Sequence, residues 1–307
     1  VNLFTTHFRK VVFVFAILVS ACTSQVPKEK KITVPRINVK KEVKQKVEKV
    51  ELNYRLIATV DTLDWLKTLD GDSLQTILIL NRVDKDHLLR QDSLIVPSYF
   101  AKNLDEYCPF PAQLDSLDTL HKMIYVSRYA QIYAVYESGK RIKWGPTSTG
   151  KETTQTPNGL FSTNWKSKRN ISSVNSSWIL NWCFNISNAD GVSLHEYDLP
   201  GYPASHSCVR LYAEDAEWFY YWADQWILKE NLSVKAFGTP VVIFGDYPFH
   251  VEKPWRQLAK NNKILLINED VLIRETEPYL ELIISRQNTR KYILEKKTES
   301  KSTLPVV

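Results

Sequence analysis

The feature that most constrains this chain is a series of short β-forming runs broken by turn chemistry, from Gln131 to Phe244. Gln131–Tyr136 is rich in β-formers, Glu137-Ser138-Gly139-Lys140 reads as a tight turn, and Arg141–Trp144 begins a returning strand. Ser148-Thr149-Gly150 follows, then Thr156-Pro157-Asn158-Gly159-Leu160-Phe161, where a proline two residues before a glycine sets up another turn. Trp178–Ile186 is apolar and aromatic, as a buried strand is, and leads toward Gly191-Val192-Ser193-Leu194-His195; Pro240–Phe244 closes the series. Between them Ala213–Ile227 has helical spacing. Ala216, Phe219, Tyr220, Ala223, Trp226 and Ile227 mark one face, and Glu214 and Asp215 sit in the first turn, where the helix dipole favours negative charge. These elements predict an α+β, β-rich domain with one helix after the longest loop.

That loop holds most of the chemistry. Leu194–Arg210 reads LHEYDLPGYPASHSCVR. A cysteine attacks as thiolate and needs an imidazole nearby to take its proton, and backbone N–H groups aimed at the developing oxyanion. Cys208 with His195 supplies the first pair, and a tight turn around Ser207 and Cys208 would supply the N–H groups. Arg210 can hold a carboxylate through parallel hydrogen bonds. A zinc site built from His195, His206 and Cys208 is the rival, but no further Cys/His pair stands at ligand spacing; no metal and no cofactor is expected.

The cassette resembles the catalytic motif of the L,D-transpeptidase (YkuD-like) family: a histidine, a loop, then Ser/Thr-His-Gly-Cys, a hydrophobic residue, and Arg or Asn. His195, Ser205, His206, Cys208, Val209 and Arg210 fill those places. Ser207 stands where the family usually has glycine, and the loop from His195 to Cys208 is a few residues shorter than common. The upstream order of strand, hairpin, Ser-Thr-Gly and Thr-Pro-x-Gly-x-Phe also matches the family. The resemblance implies a sandwich-like catalytic domain over 122–245, with Cys208 as nucleophile and His195 as base. It implies that the main-chain carbonyl of Glu196 orients the imidazole, and that the N–H groups of Ser207 and Cys208 form the oxyanion hole. Arg210, His206, Ser205 and Tyr197 become substrate-binding candidates, with Ser205 also bracing the loop. Arg210 as an ion-pair partner, His206 as a structural histidine, and Tyr197 and Trp182 as core residues are the alternatives. The implied reaction is transfer of a peptidoglycan stem peptide through a thioester with release of D-alanine, to a second stem or an attached protein. Water as acceptor would give an L,D-carboxypeptidase or related hydrolase. An inactive peptidoglycan-binding lipoprotein is the third reading.

The flanks carry their own expectations. Residues 1–21 read as an export signal: His7-Phe8-Arg9-Lys10 is basic, Val11–Val19 apolar, and Val19-Ser20-Ala21-Cys22 resembles a bacterial lipoprotein box with lipidation at Cys22. This predicts a periplasmic protein anchored through the lipid, with the outer membrane favoured by Thr23, and it argues against a nucleic-acid partner despite the net charge of +6. Residues 22–53 are lysine-dense and read as a tether. Over 54–98, the leucine spacing at Leu63, Leu66 and Leu69 and at Leu74, Ile77, Leu78 and Leu80 predicts two helices. With Leu80-Asn81 and the run ending in Pro97, this stretch resembles the back half of a LysM module and implies glycan binding; a packing spacer is the alternative. Residues 99–121, with Cys108-Pro109-Phe110-Pro111, form a connector. The C-terminal extension, 246–307, predicts helices near Pro254–Asn261 and Asn268–Ile284 and then a polar, lysine-rich end. Four cysteines occur. With Cys22 lipidated, Cys108, Cys183 and Cys208 are an odd set that leaves one thiol free if the other two pair; Cys183 reads as a small core residue.

Overall fold

The computed structural model describes residues 51–302, so Cys22, the export signal and the tether through residue 50 lie outside the described residues. The described chain opens with a small unit: β1 (Tyr54–Ala58), α1 (Leu63–Leu66), α2 (Gly71–Asn81), α3 (Lys85–Leu88) and β2 (Ser93–Pro97). Its two strands pair antiparallel, from Tyr54 opposite Pro97 to Ala58 opposite Ser93. Asp70 and Asp84 start α2 and α3 by accepting from the Ser73 and His87 N–H groups at 2.7 and 2.9 Å. Ile77, Leu78 and Leu80 are buried on α2, as the spacing predicts. The first predicted helix is only one turn; Leu66 is buried in the core, Leu69 is half-buried against it, and Leu63 is exposed.

α2 ends at Arg82, a non-glycine residue in the left-handed region (φ 60°) whose side chain is nonetheless buried. Its Nε donates to the Ala130 carbonyl at 2.9 Å, and its Nη1 to the Ile79 and Leu80 carbonyls at 2.8 Å each. The guanidinium also lies 5.4 Å from the Trp255 ring centroid. Burial pulls it below the usual arginine range.

The middle of the chain forms two sheets. β3 (Lys122–Ser127), β4 (Ile132–Glu137), β5 (Lys140–Pro146) and β6 (Gly159–Ser162) belong to the first; β7 (Lys166–Ile171), β8 (Ile179–Ser187), β9 (Val192–Glu196) and β10 (Val209–Leu211) make the second. α4 (Ala213–Trp222) follows, then a small β11–β12 pair (Ile227–Leu228, Val234–Ala236), and β13 (Pro240–Phe244) returns to the first sheet, giving the order β5-β4-β3-β13-β6. The β4–β5 turn places Ser138 and Gly139 at φ 44° and 75°, the doubly left-handed geometry of a tight hairpin. A side chain at 139 would also strike the Leu114 carbonyl at 2.5 Å.

Alternation along the strands decides what each face covers. Ile124, Val126, Tyr133, Val135, Val241 and Ile243 face the second sheet and α4, meeting Ile186, Val192, Leu194, Val209, Leu211 and Phe219 in one core. The neighbouring residues Tyr125, Ala134, Tyr136, Val242 and Phe244 point the other way, into a second core built by the connector (Phe110, Leu114, Leu120) and the C-terminal segment (Trp255, Leu258, Leu272, Ile283). A sheet covered on both faces reads as continuous apolar runs, which is why its strands were visible in the sequence.

Helix lengths are corrected. α4 stops at Trp222 instead of Ile227, because Ala223 is extended and Asp224 is pinned: its N–H donates to Thr239 Oγ1 at 2.9 Å, and its carbonyl accepts from Thr163 Oγ1 at 2.6 Å. The segment at 254–259 is a 3-10 run beginning at Pro254. The predicted helix at 268–284 is two: α5 (Glu269–Thr276), capped by Asn268, and α6 (Leu280–Ser302). Pro278, which lacks an N–H, lies in the 3-10 turn between them. The lysine-rich end expected as a polar tail is therefore helical through Ser302. α6 is fastened to the sheets by Gln287, which bonds the His121 N–H and the Lys122 carbonyl at 3.0 Å each, and by Arg290, which donates to the Gln225 and Phe237 carbonyls.

Candidate functional site

β9 and β10 run parallel, with Leu194 beside Val209 and His195 beside Arg210. Val192, Leu194, Val209 and Leu211 turn into the core, so Ser193, His195, Cys208 and Arg210 turn together to the opposite face. They line a cleft of about 360 Å³ that also takes in Tyr197, Ser205, His206 and Trp178. Two adjacent strands with period 2 thus gather residues that lie up to 17 positions apart in sequence.

Each group in the cleft has a definite electrical state. His195 is buried, and its Nδ1 donates to the Glu196 carbonyl at 2.8 Å, which leaves Nε2 as the acceptor of a neutral ring. Burial pulls its pKa down to about 4, with Arg210 lowering it further and the Glu196 carbonyl opposing. The Cys208 sulfur hydrogen-bonds the Gly191 carbonyl at 3.6 Å, not the His195 ring. Burial pushes this thiol up, while the Ser193 N–H and the Arg210 charge pull it down. The resting pair is therefore neutral thiol and neutral imidazole. From this follows a pH prediction. With its pKa above the ordinary thiol value of about 8.5, Cys208 should be alkylated by iodoacetamide at a rate that climbs about tenfold per pH unit through neutrality and past pH 8.5. A plateau between pH 6 and 8 would instead mean a preformed thiolate–imidazolium pair.

The turn before the sulfur is held by oxygen contacts. Ser205 Oγ donates to the Cys208 carbonyl at 2.5 Å, and Thr156 Oγ1 donates to the Ser207 carbonyl at 2.8 Å while accepting from the Gly150 N–H at 2.8 Å. The Thr149 carbonyl accepts from both Ala204 and Ser205 N–H groups at 3.0 Å, and Ser148 and Arg210 exchange two backbone bonds. Ser148-Thr149-Gly150 is thus the second wall of the loop. Gly150 is required there, since a Cβ would fall 2.1 Å from the Thr154 carbonyl. Ser207 adopts φ 76°, the left-handed conformation that glycine takes without penalty. Ser207→Gly should therefore stabilise the protein by about 1 kcal/mol, read as a rise in the urea midpoint; a fall in midpoint would show that the serine side chain contributes more than its backbone loses.

The remaining candidates are placed as follows. Arg210 lies against Tyr197, 4.5 Å from the ring centroid, and donates to the Asp198 and Ala204 carbonyls at 3.3 and 3.2 Å, so it ties the loop together from within; the Asp198 carboxylate acts on its charge without forming a salt bridge. His206 Nε2 takes the Lys151 ammonium at 3.2 Å, its ring sits 4.8 Å from that of Trp178, and its buried Nδ1 has no partner. The Glu196 carboxylate is drawn aside by Asn181 at 2.7 Å, so its bulk does not enter the cleft. Trp182 does not line the cleft; it sits at φ 50° on β8 and packs against Tyr220 and Tyr221. Cys108, Cys183 and Cys208 are all free thiols, and of these only Cys208 lines the cleft. Thr156, Lys151, Ser193 and Trp178 were not foreseen as site residues. The Thr156-Pro157 block reads as a turn, but nothing in the sequence says that its hydroxyl reaches across 51 residues to Ser207.

Comparison with known proteins fits this arrangement. Residues 121–243 match the YkuD family, the L,D-transpeptidase catalytic domain. That stretch of the chain is similar to an L,D-transpeptidase catalytic domain, and 51–120 and 244–302 of the described residues lie outside it. Among solved structures it is similar to an L,D-transpeptidase from Stackebrandtia nassauensis (28% identity, 41% of this chain and 57% of that one, TM-score 0.34). It is also similar to one from Mycobacterium smegmatis (20% identity, 41% and 59%, TM-score 0.33). A third is L,D-transpeptidase 3 from Mycobacterium tuberculosis in complex with a faropenem-derived adduct (21% identity, 41% and 60%, TM-score 0.32). The match spans less than two thirds of each of those chains. No curated protein sequence matches this chain.

Proposed function

We propose that this protein is a cysteine-dependent L,D-transpeptidase acting on peptidoglycan stem peptides. The observation that supports this reading most directly is the cleft itself: a thiol immediately before β10 and a neutral, carbonyl-oriented imidazole on the parallel neighbour β9, within the stretch that matches the family's catalytic domain. Substrate binding displaces the weak sulfur–Gly191 contact. The Cys208 proton passes to His195 Nε2 as the sulfur attacks the carbonyl between diaminopimelate and the terminal D-alanine. The N–H groups of Ser207 and Cys208 receive the oxyanion. The imidazolium then protonates the departing amine of D-alanine, leaving a thioester. An acceptor amine surrenders its proton to His195, attacks the thioester, and releases the thiol. Arg210 keeps the loop closed around the sulfur and adds positive charge for a stem carboxylate; Tyr197, Ser205 and His206 line the stem's path. The thioester conserves the energy of the cleaved bond, so no cofactor is needed. The first unit would hold glycan in the manner of a LysM module, and lipid on Cys22 would keep the enzyme at the periplasmic face of the outer membrane.

Tetrapeptide muropeptides incubated with the Thr23–Val307 form and analysed by mass spectrometry test the reading. Cross-linked dimers with loss of D-alanine are expected. Trimmed monomers alone would make the enzyme a carboxypeptidase, and an unchanged pool together with no carbapenem adduct on Cys208 would leave only a wall-binding protein.

A further inference from the structure

The loop that joins His195 to Cys208 is held from outside the catalytic domain. The Asp84 N–H donates to the Leu199 carbonyl at 3.0 Å, and the Leu199 N–H returns a bond to Asp84 Oδ2 at 2.8 Å. Gln91 Nε2 donates to the Pro200 carbonyl at 3.0 Å, and Tyr212 Oη to the Val83 carbonyl at 2.6 Å. Gly201 adopts φ 80°, and a Cβ there would lie 2.8 Å from Val83 Cγ1 and 2.9 Å from Gln91 Oε1. The first unit and this loop are therefore fitted backbone to backbone. Leu199, Pro200 and Gly201 are buried beneath the contact. They begin three residues after the Glu196 carbonyl that orients the imidazole, and Arg210 bonds Asp198 from the inner side.

We infer that Asp84 is a positioning residue for the loop between His195 and Cys208, so that the first unit sets the geometry of the cleft besides any ligand it binds. Its two oxygens divide the work. Oδ1 accepts from the His87 N–H at 2.9 Å and from His87 Nδ1 at 2.7 Å, starting α3, while Oδ2 serves the loop alone. A carboxylate can accept on both sides, whereas an amide cannot. The link to turnover rests on the transpeptidase reading; the link to the loop does not.

That division yields a selective variant. Asp84→Asn keeps an oxygen for the α3 cap and sets an NH2 group against the Leu199 N–H. Hydrogen exchange measured by mass spectrometry on the full chain should then quicken about tenfold or more in the segment 196–206, with α3 unaffected. Gly201→Ala, which spoils the fit from the other side, should quicken the same segment. His87→Ala removes the imidazole contact to Oδ1, keeps the backbone N–H bond and leaves Oδ2 untouched, so the loop should stay at its wild-type rate. On stem peptides, Asp84→Asn should lower kcat several-fold with KM little changed, since Asp84 does not touch the substrate. Unchanged exchange at 196–206 in both loop variants, or equal quickening in His87→Ala, would overturn the inference even in an active enzyme. An inactive wild type with the expected exchange pattern would instead count against the transpeptidase reading and leave the positioning role in place.

Discussion

Cys208→Ala is expected to abolish thioester formation and to lower cross-link production by at least about 10³-fold, because the residues of a nucleophilic unit act together and no other group can take the sulfur's place. Neither of the other described thiols can substitute. Cys183 is fully buried on β8, and Cys108 lies outside the cleft with its thiol pushed up to about 12 by burial. The fold should tolerate the change, since the Cys208 sulfur makes a weak 3.6 Å contact with the Gly191 carbonyl and meets the Ser193 N–H, whereas its own carbonyl, held by Ser205, survives in alanine. Intact mass after carbapenem treatment is the check. Wild type should gain one adduct and Cys208→Ala none; an adduct that persists on the variant would refute the assignment of the nucleophile.

Trp255→Ala should destabilise the protein by about 3–5 kcal/mol, the range for truncating a large buried aromatic. Trp255 lies outside the stretch 121–243 that matches the catalytic family, yet it is 1% exposed and packs in the same core as Tyr125, Tyr136 and Phe244 from the central sheet. It also lies within cation–π distance of Arg82 and Lys253. Removing it opens a cavity against three separate segments, which only partly collapse. Urea denaturation of the variant decides the matter: a midpoint within experimental error of wild type would mean that the C-terminal segment is an appendage and not a wall of the core.

The strands were legible because the central sheet is buried on both faces, so that apolar runs and the Ser138-Gly139 turn stood out of the polar background. The helix ends were not. Propensity carried α4 on to Ile227, while the bonds that stop it, from Thr163 and Thr239 to Asp224, join positions 15 and 61 residues apart. In the cleft, the spacing of His195, Cys208 and Arg210 carried the chemistry. Their convergence depends on the parallel pairing of β9 with β10, which no local pattern reports. Ser207 is the clearest case of a residue whose identity and backbone pull apart: the sequence shows a serine, and the turn demands a glycine's angle. The loop's dependence on Asp84 and Gln91 was invisible, because partners more than 100 positions away leave no periodic trace.

Arg82 gives the assembly one more property. A guanidinium sealed from water, with its donors committed to carbonyls of both the first unit and the Ser127–Ile132 turn, cannot swing without stranding a bare charge. The junction therefore behaves as a weld and not as a hinge. The first unit and the turn that leads into β4 keep a fixed span and heading relative to one another.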